Sequence, residues 1–180
     1  MSALEVRLAR SEDAPAIAAV HVRSWQWAYR GQIPDDYLDG LSARLAERTE
    51  MWRQILTSRL PEDRTWLAMQ GDRMVGFVDT GPTHDTDARP GTAEIRALYL
   101  DPSAVGLGIG CALFAHAVDD LRQRHFRRAI LWVLATNRRA RRFYEVAGWC
   151  PDGVTKTEER PGFILEEMRY RIDLVANALS

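Results

Sequence analysis

The stretch from Ala93 to Leu113, AEIRALYLDPSAVGLGIGCAL, constrains this chain more than any other. Ile95 to Leu100 reads as an apolar strand running into Asp101-Pro102, and a turn spaced by glycine follows, Gly106-Leu107-Gly108-Ile109-Gly110. From there Leu113, Phe114, Ala117, Val118 and Leu121 recur at helical spacing. Strand, glycine turn and helix N-terminus in succession make a site for a phosphate or pyrophosphate. The first N–H groups of the helix have no partner within it, the dipole favours an anion, and glycine lets a ligand approach the backbone. The plainer reading is a strand–helix turn whose glycines only permit tight packing. A P-loop would continue into Gly-Lys-Ser/Thr, whereas Gly110 is followed by Cys111-Ala112. A dinucleotide turn of the form G-x-G-x-x-G would need glycine where Cys111 stands.

The rest of the chain sets this stretch in a mixed α/β protein. With 180 residues and 46% hydrophobic content, residues 1–180 suit one globular domain with a full core. A net charge of −1 gives no reason to expect a nucleic-acid or membrane partner. Cys111 and Cys150 are too few and too far apart for a metal site or a disulfide framework, which fits a reducing cytoplasm. His21, His84, His116 and His125 show no metal-ligand spacing. The segment MSALEVRLAR lacks the apolar core of a signal peptide, and no later run is long enough to span a bilayer.

Taken in order, Leu4 to Leu8 alternates as a strand, and Ser11 reads as the cap of a helix with Glu12, Asp13 and Pro15 in its first turn. That helix carries Ile17, Val20, Ser24 and Ala28 beside His21, Trp25 and Tyr29, and Gly31 ends it. Pro34 opens a short second helix; Ser42 caps a third with Leu45, Trp52, Ile55 and Leu56 on one side. Arg64–Gln70 and Arg73–Asp79 flank Gly71-Asp72 as a hairpin. Gly81 to Gly91, with His84, Asp85 and Asp87, reads as a solvated loop, and Arg122 to Arg128 as a basic helix end. Ala129 to Ala135 is a continuous apolar run, as in a strand buried on both faces. Asn137 caps a helix reaching to Gly148; the chain then turns irregular through Pro151, Gly153, Pro161 and Gly162. In the last strand Ile164, Met168, Tyr170 and Ile172 alternate with Glu167, Arg169 and Arg171. The order β-α-α-α-β-β-β-α-β-α-β-β implies a mixed sheet of six to seven strands, helices on both faces, parallel around the central β-α-β unit.

With these segments in view, the chain resembles the GCN5-related N-acetyltransferase (GNAT) superfamily over almost its whole length. The resemblance rests on the opening strand and helix pair, on LYLDPSAVGLGIGCAL, on the apolar strand ending at Asn137, and on NRRARRFYEVAGW with Phe143-Tyr144 and Gly148. The segment HVRSWQWAYRGQIPDDYLDGL also looks like a bacterial branch whose members are mostly of unassigned substrate. The superfamily's phosphate motif is usually Gln/Arg-x-x-Gly-x-Gly/Ala. Gly108 and Gly110 match it, while Val105 stands where Gln or Arg is usual and Leu107 where a basic residue is common.

The resemblance implies acetyl-CoA as co-substrate, with its pyrophosphate on the amides of Val105, Gly106, Leu107, Gly108, Ile109 and Gly110. It implies a pantetheine arm running beside Leu98, Tyr99 and Leu100, between the central strand and Ala129–Ala135, with Asn137 hydrogen-bonding the arm and Ala140 beneath it. Tyr144 falls where the superfamily places a general acid, Glu94 where many relatives carry a base, and Trp25, Tyr29 and Tyr37 on helices that line the acceptor pocket. Each has a plainer reading, as packing aromatics or an exposed strand-end carboxylate. Arg138, Arg139, Arg141 and Arg142 face solvent by default, with the 3′-phosphate of CoA as an alternative partner for one of them; Cys111 reads as a small apolar helix residue.

The chemistry has its own requirements. An alkylamine with a pKa of about 10 must lose a proton before attack, and the leaving thiolate, with a thiol pKa of roughly 8.5, must gain one. A backbone N–H near Leu100, splayed from the neighbouring strand, can hold the developing oxyanion. The reading is therefore an N-acetyltransferase acting on a primary amine of a small molecule or peptide in a ternary complex, without a metal. The alternative is a non-catalytic acetyl-CoA-binding sensor or interaction domain. The acceptor's identity stays open, and relatives are often dimers, so a homodimer stays open too.

Overall fold

Seven strands and five helices carry the chain, as seen in a computed structural model that describes residues 3–174. They follow in the order β1 (Leu4–Leu8), α1 (Ala14–Ala28), α2 (Asp35–Gly40), α3 (Leu45–Ser58), β2 (Arg64–Gln70), β3 (Arg73–Pro82), β4 (Thr92–Leu100), α4 (Ile109–Gln123), β5 (Arg128–Leu134), α5 (Arg138–Val146), β6 (Cys150–Arg160) and β7 (Phe163–Asp173). This is the order expected from the sequence. The strands form one sheet, β1-β2-β3-β4-β5-β7-β6. β4 and β5 are parallel, and the β1–β2, β2–β3, β5–β7 and β6–β7 pairs are antiparallel. Among the described residues no helix is long and apolar enough to cross a membrane.

Two compact units make up the chain: Met1–Gly81 with Ala97–Ala117, and Pro82–Arg96 with Val118–Ser180. In the first, α1 packs on α3. Ala14, Ile17, Ala18 and Val20 of α1 bury against Trp52 and Leu56 of α3 and Leu67, Met74 and Phe77 of β2 and β3. His21 belongs to this apolar packing. It accepts a hydrogen bond from Trp52 Nε1 at 3.1 Å and stacks on Tyr99 with ring centroids 4.7 Å apart. Burial, with Arg48 beside it, pushes its pKa down to about 3, so the ring is neutral at physiological pH. The second unit is built on the ladder of β5, β7 and β6, with Tyr170 and Leu131 fully enclosed.

Several local expectations are corrected. Ser11 does not cap α1: Ser11–Asp13 form a 3-10 turn, and the Asp13 carboxylate accepts from the Arg10 N–H at 2.8 Å and from Arg7 at 2.7 and 2.8 Å. Ser42 does not cap α3 but lies in a second 3-10 turn, Leu41–Arg44, where its Oγ accepts from Gln26 at 3.0 Å. Only Trp52 and Leu56 of the expected α3 stripe are buried, with Leu45 and Ile55 exposed, since α3 packs chiefly on α1. The basic run after α4 is not helical beyond Gln123, since His125 adopts a left-handed φ of 64° that turns the chain into β5. The region through Pro151 and Gly153 is a strand, its irregularity absorbed by a bulge between Pro151 and Thr155. Ile164 is exposed because β5 pairs with β7 only as far as Glu167 and leaves the hairpin tip uncovered. Cys111 is exposed rather than packed.

Candidate functional site

The glycine turn lies wholly in the first unit. Asp101, buried at the end of β4, fixes its start. Its carboxylate accepts from the Ser103 N–H at 3.1 Å and Ser103 Oγ at 2.6 Å, and pairs with Arg23 at 2.7 Å and Arg73 at 3.0 Å. Burial opposes its charge, but the hydrogen bonds from Ser103 and Arg23 outweigh that and hold its pKa at about 2. Sequence reasoning singled out Asp101-Pro102 as a strand end and missed this clamp; the only signal was the Asp-Pro-Ser run that opens a short 3-10 turn, Pro102–Ala104. The depressed pKa gives stability that is present above the ordinary carboxylate range and is lost as pH falls toward 2. Asp101→Asn, which keeps the shape and drops the charge, is expected to lower stability at neutral pH by about 2 kcal/mol. Urea unfolding of both proteins at pH 7 checks it, and equal midpoints would contradict it.

The three glycines divide into two roles. Gly106 and Gly108 hold left-handed φ angles of 83° and 78°, and a Cβ at either would meet nothing within 4 Å. The turn therefore faces open space and needs glycine for its backbone. Gly110 is different. It lies inside the first turn of α4, and a Cβ there would sit 3.1 Å from Leu100 Cδ1. A Cβ at Gly76 would come even closer to Leu100 Cδ2. Gly76 and Gly110 thus make room for one side chain, Leu100, which seats the helix start on the end of β4. The Val105 N–H is donated to the Pro102 carbonyl at 3.3 Å, which takes it out of the expected set of amide donors. The first helical bond, Ala112 N–H to the Gly108 carbonyl at 3.1 Å, leaves the N–H groups of Ile109, Gly110 and Cys111 at the open end of α4.

The aromatic expectations on α1 meet a packed cluster in the same unit. Trp25 and Tyr29 stand edge to face at 5.0 Å, Trp25 meets His21 at 5.8 Å, and the Arg48 guanidinium lies over the Trp25 ring at 5.9 Å. Trp25 Nε1 is buried with no hydrogen-bond partner. Tyr37 is half-buried on α2. Leu98, Tyr99 and Leu100 are half-buried along β4.

The titratable candidates lie in the second unit. Glu94, half-buried on β4, accepts from Thr83 Oγ1 at 3.1 Å, and Thr83 Oγ1 in turn accepts from the Asp85 N–H at 3.1 Å, so the carboxylate is oriented by a short relay. Burial pushes its pKa above the ordinary glutamate value and the Thr83 hydrogen bond only partly opposes this. The ladder between β4 and β5 runs from Thr92–Arg128 to Ile95–Leu131 and stops there, although Arg96 and Trp132 continue both strands. Asn137 caps α5: its Oδ1 accepts from the Ala140 N–H at 3.1 Å, which leaves the Nδ2 amide as its donor to any ligand. Gly148, φ 87°, follows the helix as expected. Tyr144 is half-buried on α5, 5.4 Å from Phe143 and 6.3 Å from Tyr170. Tyr170 is fully buried, and its hydroxyl accepts from Arg141 at 3.1 Å and donates to Glu145 at 2.9 Å, so it is a structural group. Arg141, expected in solvent, is held by that bond and by the Ala135 carbonyl at 3.0 Å.

The loop after β3 is not merely solvated. Arg169, expected on the polar face of β7, is 7% exposed. It pairs with Asp85 at 3.0 Å, Asp87 at 2.8 Å and Asp152 at 2.7 Å. This pins the loop that orients Glu94, and neither Asp85 nor Asp87 alone announced it in the sequence. Among the described residues no group of His, Cys, Asp and Glu could hold a metal ion.

A sequence profile of the acetyltransferase (GNAT) family matches residues 19–149. A probable N-acetyltransferase of Mycobacterium tuberculosis is 30% identical over 177 residues, covering 95% of this chain and 94% of its own. An uncharacterized N-acetyltransferase of Bacillus subtilis is 31% identical over 132 residues, 73% of this chain and 72% of its own. The crystal structure of the PaiA N-acetyltransferase of Thermoplasma acidophilum in complex with coenzyme A shares the fold, with a TM-score of 0.70 at 20% identity over 95% of this chain and 99% of that one. The chain belongs to the acetyltransferase (GNAT) family.

Proposed function

We propose that the whole chain is one acetyltransferase domain that moves an acetyl group from acetyl-CoA to a primary amine of a small molecule or peptide. The observation that carries this is the open glycine turn at the start of α4, where two glycines in left-handed conformation keep side chains away from a row of backbone donors. Family membership and a neighbour of the same fold crystallised with coenzyme A support it. Acetyl-CoA supplies the acyl group as a thioester. The N–H groups of Gly106, Leu107, Gly108, Ile109 and Gly110 hold its pyrophosphate; Leu98 to Leu100, Asn137 Nδ2 and Ala140 border its pantetheine arm. Glu94 takes the amine's proton, directly or through water, as the nitrogen attacks the thioester carbon. The carbon–sulfur bond breaks, and Tyr144 gives its proton to the departing thiolate. Trp25, Tyr29 and Tyr37 form the acceptor side. The two exposed, unpaired cysteines suit a reducing compartment such as the cytoplasm.

A sensor that binds acetyl-CoA without turnover would have no use for a half-buried carboxylate aimed by Thr83. Release of free thiol from acetyl-CoA against a panel of amines tests the reading: amine-dependent release supports it, and CoA binding with no release for any amine supports the sensor. Within the enzyme reading, Glu94→Gln is expected to lose rate most below the amine's pKa and to recover as pH rises and the free amine becomes abundant. In the parent, Glu94's raised pKa puts the acidic limb of the pH–rate profile above the ordinary glutamate range. The two profiles, taken under conditions where chemistry limits the rate, decide it. Superimposable curves would move the base role elsewhere.

A further inference from the structure

On the second unit's sheet, a cleft of about 410 Å³ is lined by Arg128, Arg171, Arg89 and Asp173, among others. Residues paired across a ladder share a face, as do alternate residues of a strand. Thr92 pairs with Arg128, Glu94 with Ile130, Arg128 with Asp173 and Ile130 with Arg171. Thr92 and Ile130 line the cleft, so Glu94 stands on the cleft's own face, beside Ile130. Two charge groups meet there, and they differ. Arg169 is closed by three carboxylates, Asp85, Asp87 and Asp152. Arg128 and Arg171 share one, Asp173, at 2.8 and 3.5 Å, and the charge of Arg89 bears on the same carboxylate. Asp173 is itself 53% exposed, a weak counter-charge for guanidinium groups of which Arg128 is only 24% exposed. Asp87 and Asp152 line the cleft too but are spent on Arg169, so the end held by half-buried Arg128, by Arg171 at 38% exposure and by exposed Arg89 has three guanidinium groups for one carboxylate, and that local imbalance has room for a second anion.

We propose that this cleft binds a carboxylate or phosphate group, and that the group is the anionic end of the amine acceptor. The second clause rests on the acetyltransferase reading above. Along a strand Arg128 lies two residues from the row of Glu94, about 7 Å, and Arg171 lies two strands away, about 10 Å. An acceptor with its amine at Glu94 and its anion against these guanidinium groups is an amino acid, an ω-amino acid or a short peptide with its carboxylate, or an aminoalkyl phosphate. A polyamine would bring a second cation to the arginines.

Two probes test this on the full chain. Inorganic phosphate is titrated calorimetrically into wild type, Arg171→Gln, Arg128→Gln and Asp173→Asn. Because phosphate also fits the glycine turn, the readout is the difference between variants. Either arginine variant is expected to weaken the cleft's affinity by about 10-fold, and Asp173→Asn, which removes the competing carboxylate, to tighten it. Loss of a contact by misfolding cannot produce the tightening. Second, ε-aminocaproate is compared with hexylamine as acceptor. A wild-type preference for ε-aminocaproate that Arg171→Gln abolishes, with hexylamine unaffected, identifies the anion as the acceptor's own end. Phosphate binding that responds to all three variants, without that preference, supports the site with a free anion as its occupant and overturns the acceptor clause. If no amine of the panel is turned over but phosphate binding still responds, the proposed function fails and the anion site stands. Phosphate binding identical in all four proteins would overturn the proposal.

Discussion

Replacing Tyr144 by phenylalanine is expected to lower kcat by about 100-fold and leave CoA affinity nearly unchanged. The thiolate of CoA is a moderate leaving group, and its departure is eased by a proton delivered as the carbon–sulfur bond breaks. A tyrosine hydroxyl, with a reference pKa of about 10, holds its proton at neutral pH and is acidic enough to share it with developing negative charge. The second unit offers two tyrosines. Tyr170 is fully buried, with its hydroxyl engaged by Arg141 and Glu145, so moving its proton would break a structural network. Tyr144 is half-buried on α5, nearly two turns past the cap Asn137. The phenylalanine variant keeps the ring contacts with Phe143 and Tyr170, which isolates the hydroxyl. Single-turnover rates, with CoA affinity measured on the same protein, check the prediction. Unchanged single-turnover chemistry would remove Tyr144 from the acid role.

Gly108→Val should weaken CoA binding by about 100-fold, whereas Val105→Ala should change it by less than about twofold. The φ of 78° at Gly108 lies where a β-branched residue is a severe outlier. A Cβ there would meet no protein atom within 4 Å, so the effect cannot come from an internal clash. It comes from the turn relaxing to another backbone, which turns the donors away, and from a branched side chain standing in the open space over them. Val105 contributes neither. Its N–H is spent on Pro102, and its side chain replaces the polar residue usual in the family without removing any backbone donor. The helix dipole adds about 0.3–1 kcal/mol whatever the side chains are. Gly108→Ala separates the two causes, since it carries the strain without the branch. Similar affinities for the Val105 and Gly108 variants would refute the backbone account.

The order of strands and helices was legible in the sequence because most elements carried a strong local signal; β6, whose run through Pro151 and Gly153 read as irregular, did not. The run Ala129–Ala135 read as a strand, though Trp132 on it is only half-buried, and Asn137 with Gly148 bracketed α5 at both ends. The glycine turn was legible as a turn, but the separate duties of its glycines were not. Gly110 and Gly76 both serve Leu100, and the distance from Gly76 to Leu100 along the chain hides that contact. The Arg169 hub was illegible for the same reason: its partners sit on β6 and on the loop after β3, and alternation along β7 assigned it to the polar face. Alternation reports which face a residue takes, and it is silent on whether three carboxylates cover that face. The start of α1 was misread because Ser11 has the composition of a cap, while the Asp13 carboxylate, held by Arg7, takes the Arg10 N–H instead.

Calorimetric titration of CoA into the protein tests the central claim most directly. One site per chain, with affinity that survives Tyr144→Phe and collapses in Gly108→Val, is the predicted result. No binding by the parent protein, or equal binding by parent and Gly108→Val, would contradict both the glycine-turn site and the acetyl transfer built on it.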